Sequence, residues 1–386
     1  MNSIAAHASS DYNRLPVDFW ERLTRCAKER SKDYLIDQMS SGVWIYGAGN
    51  YGMKIASLLE DKSLPLLGFI DRRADRVKEI RGVPVIDPSA FTPSMAEGRC
   101  FVLGILNAAV DADDILPFAE RLPFRGLLWC ADLPEALGSE ANDFWLSSRT
   151  FLLDNLEPIR KVVTSLSDQK SVDVYNALLL NRVTGRRSDH PDHDLRTQYL
   201  PPDLPGFDHP IVFVDGGAYS GDTGMMLQAF GVKLKGWIAF EPDATNFEKL
   251  ARTSGNSGIP ATLFPCGLAE HSCQVRFESA LGVRSRVCLE DEQGTSLVQC
   301  VALDDVLQNV APDFIKLDVE GAEIAALSGM TRTITKFRPR LAISGYHRPQ
   351  DLWEIPLKLL ELLPNARLYV RQHGSNGFET VFYALP

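Results

Sequence analysis

Twice along this chain a short unbroken apolar run passes into a cluster of glycines and then into helical spacing. The first is Val43-Trp-Ile-Tyr46, followed by Gly47-Ala-Gly-Asn-Tyr-Gly52 and a helix through Leu59. The second is Ile211-Val-Phe-Val, followed by Asp215-Gly-Gly-Ala-Tyr-Ser-Gly221 and a helix from Thr223. Continuous, mostly β-branched runs of this length are the pattern of strands buried on both faces, as in a parallel sheet. After the first run, strands are expected at 66–70, ending at Asp71, then at 81–86 and 101–105. After the second, strands are expected at 236–240, 262–264, 313–319 and 340–344, with helices at 244–252, 324–334 and 351–363. Extended segments near 274–277 and 298–303 interrupt that alternation, with Gly294 between them. Two last strands, 367–371 and 379–384, flank Gly374-Ser-Asn-Gly377, which is turn chemistry for a hairpin. Ahead of all this, Phe19, Trp20, Leu23 and Cys26 share one helical face, and 144–156 and 172–183 read as helices between the halves.

The alternation of strand and helix makes the fold class α/β, with two Rossmann-like domains. A parallel sheet closed by an antiparallel hairpin is the architecture of a class I methyltransferase, and that is expected of the C-terminal domain. The expected boundaries are a helical segment at 1–40, a nucleotide-binding-type domain at 41–130, a helical linker at 131–200 and a methyltransferase-type domain at 201–386. A length of 386 residues agrees with two domains. The net charge of −10 argues against nucleic acid or an anionic membrane as a partner, and no apolar run is long enough to span a bilayer. The first residues show neither a basic nor an apolar export region. The seven cysteines include no C-x-x-C pair, so a reducing cytoplasm is expected. The expected partners are a small-molecule or sugar acceptor, with a second copy of the chain as an option. His190 and His193, amid Asp, Pro and Arg, read as solvated loop residues rather than metal ligands.

Ligands on an open α/β sheet sit beyond the carboxyl ends of the strands. In the second half those ends carry Asp215, Glu241, Cys266, Gly267, Asp318 and Ser344. Glu241 stands where an acid accepts both hydroxyls of a ribose, and Asp215 and Asp318 would flank an ammonium and a sulfonium. Each acid alone could equally be a loop carboxylate or a helix N-cap, for which Asp215 and Asp243 are also suited. Together with the glycine turn they point to S-adenosylmethionine (SAM), with Gly217, Ala218, Gly221 and Asp222 completing the expected contacts. Methylation of an alcohol needs alignment and a proton acceptor. Asp318, Glu320, Glu323 and His347 are the candidates, and a divalent cation lowering the hydroxyl pKa is the alternative. The segment Gln198-Tyr-Leu-Pro-Pro-Asp203 is either a lid or a plain connector. In the first half Gly47, Gly49, Gly52, Asp71 and Arg72 form a second, nucleotide- or nucleotide-sugar-type constellation without an evident catalytic set.

Three blocks resemble FkbM-family methyltransferases: Asp215-Gly-Gly-Ala-Tyr-Ser-Gly221, Glu241-Pro242 and Lys316-Leu-Asp-Val-Glu-Gly-Ala-Glu323. The resemblance runs over about 172–386, and 1–170 is similar instead to nucleotide-sugar-binding domains found ahead of bacterial sugar acetyltransferases. It implies SAM-dependent O-methylation of a sugar, glycoconjugate or related metabolite, and places Asp215, Gly217, Glu241 and Asp318 on the family's cofactor positions. Cys266-Gly267 departs from the family's commoner alanine. The alternatives are a nucleotide- or NAD-dependent enzyme working at the 47–52 turn, or a scaffold that binds without turnover.

Overall fold

The computed structural model describes residues 15–16, 18–108, 110, 114–279, 285–288 and 296–386. Residues 1–14, at which the export signal was sought, and Gly294 lie outside them. The chain divides into two compact units. The first comprises the chain up to Thr164, with Asp168–His193 and Gly374–Phe378; the second comprises Ser165–Ser167, Asp194–His373 and Glu379–Pro386. Among the described residues no helix is long and apolar enough to cross a membrane.

The first unit is an α/β layer. Its strands are β1 (Val43–Tyr46), β2 (Leu66–Ile70), β3 (Glu79–Ile80), β4 (Val83–Ile86), β5 (Cys100–Leu103) and β6 (Gly126–Leu128), in the order β3-β4-β2-β1-β5-β6. All are parallel except β3, and β1 is buried at all four positions, as its unbroken apolar run requires. The helices expected to form a joint belong to this unit. A single helix over 144–156 is not formed: Ser148 accepts from Phe151 N and starts one helix (Arg149–Asp154), and a second follows (Leu156–Ser165). The long helix Gln169–Thr184 begins at its Asp168 cap and ends at Gly185 in the left-handed region. These pieces are tied through Asp132, fully buried, which accepts from Arg30 and Arg149, while Arg149 Nε reaches the carbonyl of Val183. His190 is buried rather than solvated, its Nε2 accepting from Gly377 N at 2.9 Å. The expected hairpin turn at 374–377 is therefore part of the first unit's packing, with the carbonyl of Asn376 accepting from the Trp145 indole.

The second unit carries a seven-stranded sheet and a smaller one. The large sheet is built from β7 (Ile211–Gly216), β8 (Leu234–Phe240), β9 (Ala261–Phe264), β14 (Phe314–Leu317), β15 (Arg340–Ser344), β16 (Arg367–Gln372) and β17 (Thr380–Leu385). Its order is β16-β17-β15-β14-β7-β8-β9, with β17 antiparallel to both its neighbours. The sheet is open: the hairpin forms one edge and does not close it. Strand order reverses between β7 and β14, which creates a crevice at their carboxyl ends. The interrupting segments, β10 (Gly267–Leu268), β11 (Cys273–Ser279), β12 (Ser285–Cys288) and β13 (Ser296–Val301), form a separate sheet in the order β10-β13-β11-β12. The helix expected over 324–334 is two, Glu323–Ser328 and Thr331–Phe337. Asp304 accepts from the backbone N–H of Arg332 and Thr333, so a carboxylate from elsewhere in the chain caps a new start there.

Parallel register sets Asp215 of β7 directly beside Lys316 of β14. Partners in register project to the same face, so the two charges meet: Lys316 Nζ lies 3.2 Å from Asp215 Oδ1, and both side chains are buried. Removing one member of such a pair leaves an uncompensated buried charge, at about 3–5 kcal/mol. Lys316→Met should therefore lower unfolding stability in urea at neutral pH by about that much. A loss below about 1 kcal/mol would show that the pair does not hold the turn.

Candidate active site

The crevice at the strand ends holds a cavity of 270 Å³. Gly217, Asp222, Glu241, Gly267, Asp318 and Glu320 line it, together with Gln198, Tyr199, Tyr219, Lys316, Tyr346 and Glu379. Phe240, Leu268, Val275, Val298 and Cys300 give it an apolar wall, and the last four come from the small sheet.

The glycine turn is shaped by the chain itself. Gly217 has φ +74°, and a Cβ there would lie 1.8 Å from the carbonyl oxygen of Asp318. What requires glycine at this position is the close approach of the two strand ends. Lys316 Nζ donates to the carbonyls of Gly217 at 2.6 Å and Gly216 at 3.3 Å, fastening the turn from below. Asp215 is consequently not exposed to the cavity but sealed behind the turn. Burial raises its pKa against the opposing pull of Lys316. Ala218, Gly221, Asp243 and Cys266 also lie outside the lining. Ala218 is core, Gly221 opens the helix Asp222–Ala229, Asp243 caps the next helix by accepting from Asn246 N, and Cys266 is buried.

Glu241 is held by the backbone: one oxygen accepts from Tyr219 N at 2.8 Å, the other from Asp243 N at 2.9 Å. Each oxygen keeps acceptor capacity, and burial pushes the carboxyl up to about 7. A fixed carboxylate at the end of the second strand, facing a cavity with an apolar wall, fits the ribose hydroxyls and adenine of SAM. Asp318 fits its cationic end. Burial alone would raise the pKa of Asp318, but Lys316, His347 and the Tyr199 hydroxyl, which donates at 2.9 Å, hold it low and ionised.

Behind Asp318 stands His347, whose ring does not line the cavity. Its Nδ1 is 2.9 Å from Glu323, and its Nε2 is 3.4 Å from Asp318 and 3.6 Å from Glu320. None of these is an aligned hydrogen bond, so they act as ion pairs. Burial favours a neutral ring, yet the three carboxylates outweigh it and raise the pKa well above the usual histidine range. Asp318, Glu323 and His347 offer ligand atoms within 4.8 Å of one another. A ring nitrogen facing a carboxylate on each side is the setting of an imidazolium, and in that state the ring would hold its proton in place of a metal. Glu320 and Glu379 both adopt left-handed backbone (φ +54° and +59°), and burial pushes each up to about 7. Sequence reasoning did not find Glu379, Tyr346 or the role of Lys316, and it met Tyr199 only within the segment 198–203 read as a lid or a connector. Lys316 at least stood in a motif block, whereas the position of Glu379 depends on the hairpin.

The first unit's constellation is arranged differently. Among the described residues the Asp71 carboxylate accepts from Ala48 N in the glycine turn at 2.7 Å, from Arg73 N at 2.9 Å and from the Arg73 guanidinium at 2.9 and 3.0 Å. Burial would raise its pKa, but these donors outweigh it and bring the carboxyl down to about 2. Gly47 and Gly52 pack on each other, a Cβ on Gly52 falling 2.0 Å from the carbonyl oxygen of Gly47. Gly49 faces open space, and Arg72 is exposed.

Glu241, Glu320 and Glu379 share one sign. Their folded pKa values near 7 lie above those of unfolded glutamates, so the folded protein binds more protons between about pH 4.5 and 7. Stability from these groups is complete below that window and lost as pH rises through 7. The ligand-free melting temperature should fall between pH 5.5 and 8, and Glu320→Gln should flatten the slope. A melting temperature that rises across the window would contradict the assignment.

Residues 215–376 match the methyltransferase FkbM domain. The fold is similar to that of methyltransferase FkbM from Methylobacillus flagellatus, with a TM-score of 0.76 at 20% identity, covering 96% of this chain and 100% of that one. The hexuronic acid methyltransferase AglP of Haloferax volcanii is 28% identical over 136 residues, 34% of this chain. The match spans about half the length of that curated relative, 54%. The chain thus contains a SAM-dependent methyltransferase domain of the FkbM family, across residues 215–376.

Proposed function

We propose that the protein transfers a methyl group from SAM to a hydroxyl of a sugar, glycoconjugate or related metabolite. The observation that carries this reading is the convergence of Glu241 and Asp318 on one cavity at the reversal of strand order. The printed activity of the Haloferax relative, on a hexuronic acid, supports a sugar-type acceptor. SAM, when bound, supplies an activated methyl group on a cationic sulfur. The chain's own part is to bind, orient and exclude water, and alignment of the reacting atoms can contribute on the order of 7–11 kcal/mol.

Within that reading Glu241 holds the ribose, and the apolar wall of Phe240, Leu268 and Val298 takes the adenine. Asp318, ionised and fixed by two tyrosine hydroxyls, faces the positive charge. Glu320 and Asp318 remain candidates for proton transfer. His347 does not line the cavity, and from behind it positions Asp318 and Glu320. With Asp71 bound up in its own turn, the reading rests on the second unit alone and assigns no nucleotide to the first.

Hydrogen bonds to a charged group contribute about 1.5–3 kcal/mol each, and every 1.4 kcal/mol is tenfold in affinity. Glu241→Ala should therefore weaken SAM binding roughly 10- to 100-fold by isothermal titration, with the far-ultraviolet circular dichroism unchanged. Unchanged affinity would remove the ribose assignment. Turnover should also survive a chelator. Activity lost on chelation and restored by a divalent ion would establish the metal route instead.

A further inference from the structure

Beside Asp318 the cavity carries Glu379 and Gln198, which the SAM contacts do not use. Tyr346 Oη lies 3.3 Å from Glu379 Oε1 and 3.4 Å from Asp318 Oδ1, bridging the two carboxylates. The other oxygen of Glu379 accepts from the amide of Gln198. Glu320 lines the same cavity. Three carboxylates thus gather against one lining cation, Lys316, which is already engaged by Asp215 and two carbonyls. The groups facing Glu379 are Asp318, Glu320, Tyr199, Tyr346, Gln198 and, from behind, His347. None of them is a lining cation with a free position for an acidic substrate.

Carboxylates with an adjacent phenol and amide make a hydroxyl-recognising surface, since ionised oxygens accept from hydroxyls and the phenol can also receive. A second negative charge brought beside them would meet like charges in a partly desolvated space, which disfavours it. We propose that Glu379, with Glu320 and Tyr346, forms the acceptor subsite of the cavity, and that it takes an uncharged sugar hydroxyl, not a uronate, whose proton Glu379 receives. This rests on the methyltransferase reading above. As the acceptor oxygen forms its bond to the methyl carbon, its bond to hydrogen breaks and the proton passes to a Glu379 oxygen. The carbon–sulfur bond breaks with its electron pair left on sulfur, and the products are a methyl ether and a neutral thioether. Burial beside Asp318 brings Glu379 up to about 7, where a carboxylate is both ionised enough to accept a proton and basic enough to keep it. Glu379 stands immediately before β17 with left-handed backbone, φ +59°, and its side chain lines the cavity.

The test uses the full chain, labelled SAM and matched pairs of methyl glycosides: glucoside with glucuronide, galactoside with galacturonide, mannoside with mannuronide. At pH 7.5 at least one uncharged member should accept label, at more than roughly tenfold the rate of its uronate. Glu379→Gln should lower kcat for that member roughly 10²-fold or more and remove the acidic limb of the rate profile, leaving SAM affinity within about threefold. Tyr346→Phe, a milder change, should lower kcat less and shift that limb. The proposal is overturned if the uronate of a pair is preferred, or if Glu379→Gln keeps the wild-type kcat and pH profile. It is also overturned if SAM binds and no pair is labelled, and in that case the methyltransferase reading stands. Failure of the wild-type protein to bind SAM would overturn both.

Discussion

One buried ammonium organises the second unit. Lys316 Nζ meets Asp215 and the carbonyls of Gly216 and Gly217, and the field of this charge helps keep Asp318 ionised. Isolated in an apolar interior, such a charge would be prohibitively costly. Here two carbonyls accept from the ammonium and the Asp215 carboxylate balances its charge. The same contacts fix the turn whose curvature makes the cavity floor, so stability and site geometry have a common source. The Lys316 ammonium also sits 5.4 Å from the centre of the Tyr199 ring, whose hydroxyl donates to Asp318.

Around that centre the acids divide by environment. Asp215 is sealed beneath the turn, Asp318 is kept ionised by its donors, Glu323 is spent on His347 and the backbone N–H of Val319 and Gly321, and Glu241, Glu320 and Glu379 are raised towards neutrality by burial. Groups of one chemical type thereby acquire different tasks. His347 supplies the positive charge that lets three carboxylates crowd together, which explains a buried histidine that does not touch the cavity. The first unit makes the contrast plain: the acid at the end of its second strand, Asp71, is consumed by Arg73 and its own turn.

The sequence by itself determined the elements and their order. Unbroken apolar runs such as 211–214 can only be buried strands, glycine clusters after them mark tight turns, and the block ending in Glu323 carries the family. It therefore also determined where the ligand end of the sheet lies and that Glu241 and Asp318 stand there. Local pattern also misled where a distant group intervened: the helix over 324–334 is broken because Asp304 caps a second start, and His190 is buried because Gly377 donates to it. Which acids face the cavity was decided only by tertiary structure. Register placed Asp215 against Lys316 and so removed it from the site; the hairpin returned Glu379 to the cavity from the far end of the chain; and the segment before β7 brought in Tyr199. The physical reason is that the pKa and accessibility of a carboxylate depend on burial and on charges a few ångströms away. Those neighbours come from positions up to 181 residues apart, as Gln198 and Glu379 are, and no local pattern encodes them.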